Sequence, residues 1–344
     1  VLAAIGIEKG KSFAPDERMK ALLTDAAAVG NATARAIVFA TRDPEAYIFD
    51  NSHWKTGFIG GSHEFERDGV RLLDARSLFF YYATGITPAM SAKMVGVGSQ
   101  YAGAMVDSEG RYFDGGRTYK LTMPPNVPAK DFWSLVLYDN QTRSMLQTDQ
   151  QFPSLNSERG VRQNPDGSTD IYFGPSAPAG KESNWIQTVP GKGWSVILRL
   201  YGPLEPWFDK EWQPGEIEWM EAIPALAPDG RRMAMSTDIP VAVTTPDRVE
   251  TRIGTLEFFD GFPTEETVEL VYDNLDFMRG IETFLNAMPA ASLEALLDGV
   301  GSLGVDRNGA ISITESLMDA RSLYLTPNTE SVYIGAKLDL RDGP

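Results

Sequence analysis

The residues of this chain best suited to chemistry are aromatic and basic side chains on or beside predicted β-strands. They are Trp133, Tyr138, Arg143, Trp185, Arg199 and Tyr201. Because alternate residues of a strand share a face, a strand over residues 195–201 places Ile197, Arg199 and Tyr201 together. Arginine can bind a carboxylate through two parallel hydrogen bonds, and indole and phenol rings offer stacking surfaces. The set predicts a pocket for an acidic or sugar-like small molecule.

A structural interpretation of the same residues stays open. Arg199 could pair with an acidic neighbour such as Asp139 while the aromatic rings pack in a core. Paired carboxylates for glycoside hydrolysis could come from Asp139, Asp170 and Glu182. The chain has 47 acidic residues, however, so chance pairs are plentiful and a solvated surface is their default role. The sequence therefore leaves open whether the protein is an enzyme.

The two histidines, His53 and His63, form the one candidate metal site. They lie ten positions apart in a glycine-rich stretch, and Glu64 could complete a divalent-metal site with them. That spacing is not one of the usual short metal-ligand spacings, although ligands can converge from separate strands. Exposed or capping loop histidines are the alternative interpretation. No other cofactor is predicted.

Several catalytic and binding motifs are absent from the sequence. It has no Gly-x-Ser-x-Gly nucleophile motif and no P-loop. Gly96-x-Gly98 lacks the third glycine and the strand-to-helix context of a dinucleotide-binding turn. Cysteine is also absent, which excludes disulfides, thiolate catalysis and zinc bound by cysteine.

The charge of the chain argues against two classes of partner. The formal net charge is −16, whereas nucleic acid and anionic membranes are bound by clustered lysine and arginine. No apolar run reaches the roughly 18 residues of a membrane-spanning helix, and residues 1–7 lack the features of a signal peptide. We expect a soluble protein of the cytoplasm or the periplasm.

The spacing of apolar residues predicts mainly β-structure with flanking helices. Between about residues 54 and 219, short β-rich runs alternate with turn signals, which is typical of a jelly-roll-like antiparallel β-sandwich. The predicted strands are residues 100–106, 118–122, 132–138, 170–173, 185–188 and 195–201. Helices are predicted at 16–39 with Asp16 as the cap, at 73–82 capped by Asp74, at 265–287 ending at Asn286 and Pro289, and at 292–297.

These patterns predict four segments along the chain. Residues 1–53 form a helical segment and residues 54–219 the β-sandwich. Residues 220–245 are a linker broken by Pro224, Pro228 and Pro240. Residues 246–344 form a second helical segment that ends in a truncated repeat of the start of the sandwich.

The repeat rests on two matched blocks in the same order. Leu73-Asp74-Ala75-Arg76-Ser77-Leu78 matches Met318-Asp319-Ala320-Arg321-Ser322-Leu323 at five of six positions. Ser99, Tyr101, Gly103, Ala104 and Asp107 match Ser331, Tyr333, Gly335, Ala336 and Asp339 in the same spacing. A duplicated domain is the natural explanation. A lone strand at residues 332–338 would leave its backbone unpaired, so we expect it to join the first sandwich, another subunit or a second sandwich.

The motifs of residues 1–218 resemble a bacterial family of paired domains of unknown function, 1254 followed by 1214. The resemblance to the 1214 domain is carried by Trp133-Ser134-Leu135, Thr142-Arg143-Ser144, Asn184-Trp185, Leu198-Arg199-Leu200-Tyr201-Gly202-Pro203 and Trp207-Phe208-Asp209-Lys210. Residues 236–344 resemble the start of the 1254 domain through Thr244-Thr245-Pro246, Phe259-Asp260-Gly261 and Asn328-Thr329-Glu330. Compared with the family, the order is permuted and the body of the first domain is missing, as in a circular permutation or a joining of two fragments. The resemblance implies no activity.

Two functions are compatible with these features. The first is a small-molecule or carbohydrate-binding protein, which could be a hydrolytic enzyme, with a polar-aromatic site in the sandwich. The second is a non-catalytic structural or assembly protein in which strands pair across subunits and the aromatic residues form the core. In either case we expect a homo-oligomer.

Overall fold

A computed structural model of the chain describes residues 2–83, 86–220, 232–316, 332–339 and 341. The chain divides into two compact units, Val1–Asp273 and Asn274–Pro344. The α-helices are α1 Glu17–Phe39, α2 Leu73–Tyr82, α3 Pro88–Ser91, α4 Glu205–Phe208 and α5 Glu265–Ser302. In the described parts of the chain, no helix combines the length and apolar character needed to cross a membrane.

The strands are numbered in chain order. They are β1 Glu66–Arg67, β2 Val70–Arg71, β3 Ser99–Ala104, β4 Tyr119–Met123, β5 Ala129–Asp139, β6 Ser154–Asn156, β7 Thr169–Gly174, β8 Trp185–Gln187, β9 Trp194–Pro203, β10 Ile217–Trp219, β11 Arg248–Thr251, β12 Gly254–Phe259, β13 Phe262–Pro263, β14 Ile311–Ile313 and β15 Ile334–Ala336.

The first unit is built around two four-stranded sheets, in the orders β3-β9-β5-β6 and β10-β4-β7-β8. One hydrophobic cluster contains side chains of both sheets, so the predicted β-sandwich with flanking helices is confirmed. The pairing is antiparallel except between β7 and β8, which run parallel. The six predicted strands correspond to β3, β4, β5, β7, β8 and β9.

Strand β9 shows why the two faces of its sheet differ. Its residues Trp194, Val196, Leu198 and Leu200 are fully buried in the core. Trp194 stacks on Phe113 with ring centroids 4.2 Å apart, and both rings belong to the hydrophobic cluster between the sheets. The alternate residues of β9 point away from the sandwich. They form the outer face on which the cavity described below lies.

Helices α1 and α2 begin and end close to their predicted bounds, but only one of the two predicted N-caps is confirmed. The Asp16 side chain accepts a hydrogen bond from the Met19 amide and caps α1, which is confirmed. The prediction of Asp74 as the cap of α2 is wrong, because the N-cap position is Leu72 and no side chain caps this end. Asp74 lies in the first turn, where a carboxylate favours the helix through the helix dipole.

The predicted stop at Asn286 and Pro289 and the separate helix at 292–297 are wrong. Helix α5 runs without a break from Glu265 to Ser302. A proline in a helix interior costs about 3 kcal/mol relative to alanine. Alanine, leucine and glutamate, which have high helix propensity, are frequent on both sides of Pro289, so the helix on either side of the proline is locally favoured.

Residues 245–263 lie in the first unit and pack on the sandwich and α1. The antiparallel strands β11, β12 and β13 form a small sheet. Arg35 of α1, which is 1% exposed, donates to the backbone oxygens of Gly261 and Asn140 at 2.9 and 3.3 Å. Thr245 exchanges hydrogen bonds with the side chain of Gln141. Of the predicted linker, residues 221–231 lie outside the described residues.

The second unit contains the counterpart of the repeated strand. Strand β15 pairs antiparallel with β14, with Gly335 opposite Ser312, and so finds its partner within the unit. In the first unit, the matching Gly103 pairs with Lys55 through backbone hydrogen bonds of 2.8 and 2.9 Å. Residues 318–323 and 331, which carry the rest of the repeat, lie outside the described residues.

Candidate functional site

The outer face of the β3-β9-β5 sheet forms the floor of a cavity of about 330 Å³. Helix α2 covers one side of it through Leu78, Phe79 and Tyr82. The lining is Val38, Lys55, Thr56, Gly57, Phe58, Leu78, Phe79, Tyr82, Ala83, Met90, Tyr101, Gly103, Met105, Tyr138, Arg143, Ser195, Val196, Ile197 and Arg199. This volume lies near the lower end of the range for small-molecule sites.

Arg199 of the central strand β9 is part of the cavity floor. On β9 it stands opposite Tyr101 of β3 and Ser134 of β5. Its Nη2 donates a hydrogen bond of 2.7 Å to the Tyr138 hydroxyl, and its guanidinium carbon lies 5.7 Å from the ring centroids of both Tyr101 and Tyr138. The two rings hold the guanidinium in place, and most of its N–H donors have no acceptor among the described residues.

Arg143 reaches the same cavity from the turn after β5. The Asp139 carboxylate accepts hydrogen bonds from the amides of Gln141 and Thr142 at 2.7 and 3.0 Å, which turns the chain back. Arg143 then has a positive φ of 58°, and its Nη1 donates to the Gln141 carbonyl at 2.8 Å. Its guanidinium carbon lies 4.9 Å from the centre of the Tyr81 ring.

Lys55 is the third cationic residue of the lining and is only 5% exposed. Its backbone pairs with Gly103 of β3, which brings the side chain to the sheet. The ammonium donates to the Phe39 carbonyl at 3.1 Å. Burial lowers the pKa of Lys55 to about 8, because the charged form loses its hydration.

The charged side chains that line the cavity are therefore all of one sign. Its described lining has three cationic side chains and no aspartate or glutamate. Among the residues that the structure describes, no carboxylate forms an ion pair with Lys55, Arg143 or Arg199. The alternative pairing of Arg199 with Asp139 is not seen, because Asp139 binds Lys192 at 2.7 Å. A site of this composition can bind an anion by charge-assisted hydrogen bonds.

Of the predicted ligand-binding residues, the cavity brings together Tyr138, Arg143 and Arg199. Trp133 is instead buried between the sheets. Trp185 lies on the other sheet, where its indole N–H donates to the Gly174 carbonyl at 2.9 Å. Tyr201 shares a face with Arg199 but stacks on Phe132 at a centroid distance of 4.1 Å, outside the cavity lining.

The predicted metal ligands are not brought together. His53 Nδ1 lies 2.8 Å from a Glu216 carboxylate oxygen, whereas Glu64 is exposed and His63 half-buried. In the described ranges, no group of three or more histidine, aspartate or glutamate side chains could hold a metal ion. The candidate carboxylates Asp170 and Glu182 also lie outside the cavity lining.

Five polar lining residues are not among those predicted from the sequence: Lys55, Thr56, Tyr82, Tyr101 and Ser195. Ser195 has the same parity on β9 as Arg199, so strand alternation alone predicts their common face. Tyr82 ends the helix that the sequence predicts. Lys55 carries no comparable signal, since it reaches the site through a backbone pairing with a distant strand.

Comparison with known proteins matches residues 98–205 to a family described as protein of unknown function (DUF1214). These residues include β3 to β9 and therefore the cavity floor. The VPA0106 protein from Vibrio parahaemolyticus is 22% identical over 64% of this chain and 49% of its own, with a TM-score of 0.35. An uncharacterized protein from Burkholderia cenocepacia is 18% identical over 62% and 46%, with a TM-score of 0.27.

The chain spans about half the length of these two solved proteins. No curated protein matches it.

Proposed function

We propose that the protein binds a small acidic molecule with an apolar body in the cavity on the outer face of the β3-β9-β5 sheet. The observation that carries the proposal is the charge of the lining. Three cationic side chains line the cavity, and no carboxylate in the described parts of the chain neutralises them. Such a site leaves donors without acceptors until an anion enters.

Arg199 supplies the recognition of the acid group. Its guanidinium is already positioned by Tyr138 and flanked by Tyr101, so little side-chain entropy is lost on binding. Lys55 and Arg143 add positive charge in a partly dehydrated space, where it is less screened than at the surface.

The remaining lining favours an apolar ligand body over a sugar. The side chains of Phe58, Leu78, Phe79, Met90, Met105 and Ile197 line the cavity. A carbohydrate would need several polar partners for its hydroxyls, whereas aliphatic and aromatic walls bury a hydrocarbon chain or ring. The ligand class that fits is therefore a carboxylic acid with a hydrocarbon body.

The direct test is calorimetric titration with octanoate and benzoate. Octanamide and benzamide are the controls, because they keep the shape and remove the charge. We expect the acids to bind and the amides to bind at least about tenfold more weakly, since a charged hydrogen-bonding partner is lost. Equal affinity for acid and amide, or binding of glucuronate in preference to both acids, would contradict the proposal.

Binding is expected to weaken as the pH rises through the pKa of Lys55. This pKa is about 8 in the free protein, so the ammonium is mostly charged near pH 7 and mostly neutral near pH 9.5. The carboxylate stays ionised throughout, so only the protein's charge changes. We expect affinity for octanoate to fall on the order of tenfold across this range. In Lys55→Met, the affinity for octanoate near pH 7 should be lower than in the unmodified protein and should not fall further as the pH rises. If the affinity of Lys55→Met still falls over this pH range, a group other than Lys55 causes the pH dependence.

The order of segments forms a separate part of the proposal. Residues 246–344 are related to the start of the 1254 domain, placed after the 1214-like sandwich. Support comes from the antiparallel pairing of each strand with a segment that precedes it, Gly103 with Lys55 and Gly335 with Ser312. A matching Asx turn follows each strand: Asp107 accepts from the Glu109 amide at 3.0 Å and Asp339 from the Arg341 amide at 3.1 Å. Intact-mass measurement with terminal sequencing tests whether one polypeptide carries the segments in this order.

A further inference from the structure

Two hydroxyl groups on the cavity wall make no well-formed hydrogen bond to any residue that the structure describes. They belong to Ser195 of β9, which is 1% exposed, and to Tyr82 at the end of α2. Among the described residues, neither the Ser195 Oγ nor the Tyr82 Oη has a hydrogen-bond partner with good geometry, although both atoms are buried. Buried polar groups are paired in the large majority of cases, so an unpaired hydroxyl requires an explanation.

Their position distinguishes these hydroxyls from other unpaired groups of the core. Arg35 Nε and the Asn140 side chain are also buried without a partner, but neither residue lines the cavity. Ser195 and Tyr82 both do, and their hydroxyls lie near enough to interact with each other, which is how the Ser195 hydroxyl affects the pKa of Tyr82. Burial raises the pKa of Tyr82 far above its usual range, so the phenol keeps its proton and remains a donor.

The two hydroxyls lie at a distance from the acid-binding group that a small ligand can span. Ser195 and Arg199 share the outer face of β9 and are four residues apart, which corresponds to roughly 13 Å between their Cα atoms. The Arg199 guanidinium donates to the hydroxyl of Tyr138, and the backbone of Tyr138 stands directly opposite Ser195, so Tyr138 links the two polar positions. A ligand that uses both positions therefore spans a distance on the order of 13 Å or less.

We infer that the ligand carries a second polar group, a neutral hydroxyl or carbonyl oxygen, separated from its carboxylate by an apolar segment and bound by Ser195 and Tyr82. The ligand class is then a hydroxy or oxo acid with the oxygen distant from the carboxylate. Two O–H donors can converge on one such oxygen, and the wall between them and Arg199 is apolar at Ile197. The inference rests on the proposed function, since Arg199 fixes the other end of the ligand.

The experiment compares straight-chain acids from butanoate to decanoate with the corresponding ω-hydroxy acids by calorimetry. At the best chain length, we expect the hydroxy acid to bind the unmodified protein about tenfold more tightly than the plain acid. Ser195→Ala and Tyr82→Phe should each remove this preference, measured as the ratio of the affinities for the hydroxy acid and the plain acid in the same variant. Ser134→Ala is the matched control, because this buried serine lies on the same face of the sheet but outside the cavity lining.

Stability gives a second readout. A serine hydroxyl kept for a ligand contributes nothing in its absence, so Ser195→Ala should unfold at the same temperature as the unmodified protein or higher. A fall in the melting temperature together with an unchanged preference for the hydroxy acid would show a structural role and overturn the inference. An affinity for dicarboxylates that exceeds that for hydroxy acids and does not depend on Ser195 would also overturn it.

The outcomes separate the two proposals. If plain acids bind through Arg199 but the hydroxyl adds nothing at any chain length, the second polar position is wrong and the acid site stands. If neither series binds, the acid site fails and the second position fails with it.

Discussion

Arg199→Gln is expected to reduce the affinity for octanoate by about ten- to a hundredfold. A hydrogen bond to a charged group contributes about 1.5–3 kcal/mol, and each 1.4 kcal/mol corresponds to a factor of ten. Glutamine keeps a polar but shorter side chain and removes both the charge and the planar pair of donors. Arg199→Lys keeps the charge without the paired donors, so we expect an intermediate affinity.

The fold should tolerate Arg199→Gln. Its guanidinium forms no ion pair in the described parts of the chain, so its removal leaves no buried carboxylate without a partner. We expect the free energy of unfolding to change by less than about 1 kcal/mol.

Arg162→Gln is the matched control. It makes the same change in charge at an exposed arginine outside the cavity, and octanoate affinity should stay as in the unmodified protein. Unchanged binding in Arg199→Gln would show that the cavity is not the acid site.

Lys192→Met is expected to have the largest effect on stability, a loss of about 3–5 kcal/mol near pH 7. The Lys192 ammonium lies 2.7 Å from an Asp139 oxygen and 3.2 Å from Asp260. Both carboxylates are largely buried, and burial raises the pKa of Asp260 because its charged form loses hydration. Without the ammonium, two buried negative charges would face each other unpaired.

The pH dependence of this loss gives a second measurement. Because the pKa of Asp260 is raised, this carboxyl takes up a proton earlier than usual as the pH falls, and protonation relieves the unpaired charge. The difference in unfolding free energy between Lys192→Met and the unmodified protein, measured in urea, should therefore narrow toward acidic pH. Lys93→Met, at an exposed position, is the control and should change stability by less than about 0.5 kcal/mol. A loss below about 1 kcal/mol in Lys192→Met would contradict the assigned role of this ion cluster.

The loss of the Lys192 ammonium would affect more than the three charged side chains. Asp260 also accepts a hydrogen bond of 2.8 Å from the Gly193 amide and lies in the turn between β12 and β13. The cluster therefore joins residues 248–263, distant in sequence, to the end of β5 and the start of β9.

The sequence predicts the floor of the candidate site well because strand alternation is a local property. The shared face of Ile197, Arg199 and Tyr201 follows from their spacing alone. The same rule shows why Trp133 does not join Tyr138: the two residues are five positions apart on β5 and so point to opposite faces. Trp133 belongs to the core, and only Tyr138 reaches the cavity.

What the sequence does not predict depends on contacts between distant segments. Trp185 lies on a strand, as the sequence predicts, but no local sequence pattern indicates which of the two sheets contains that strand. Lys55 enters the site because its backbone pairs with Gly103, nearly fifty residues later. Helix α2 is predicted from its own residues, whereas its place over the cavity depends on packing that no local pattern specifies.

The cavity and the chain as a whole differ in the sign of their charge, and this difference affects how an anionic ligand reaches the site. The chain carries a net charge of −16, whereas the described lining of the cavity is positive. An anion approaching the surface is repelled over distances of about a Debye length, roughly 8 Å at physiological ionic strength, and is attracted only after it has entered. Acids therefore gain no help from long-range attraction. Their advantage over neutral molecules of the same shape lies in slower departure, so the protein discriminates by residence time rather than by frequency of encounter.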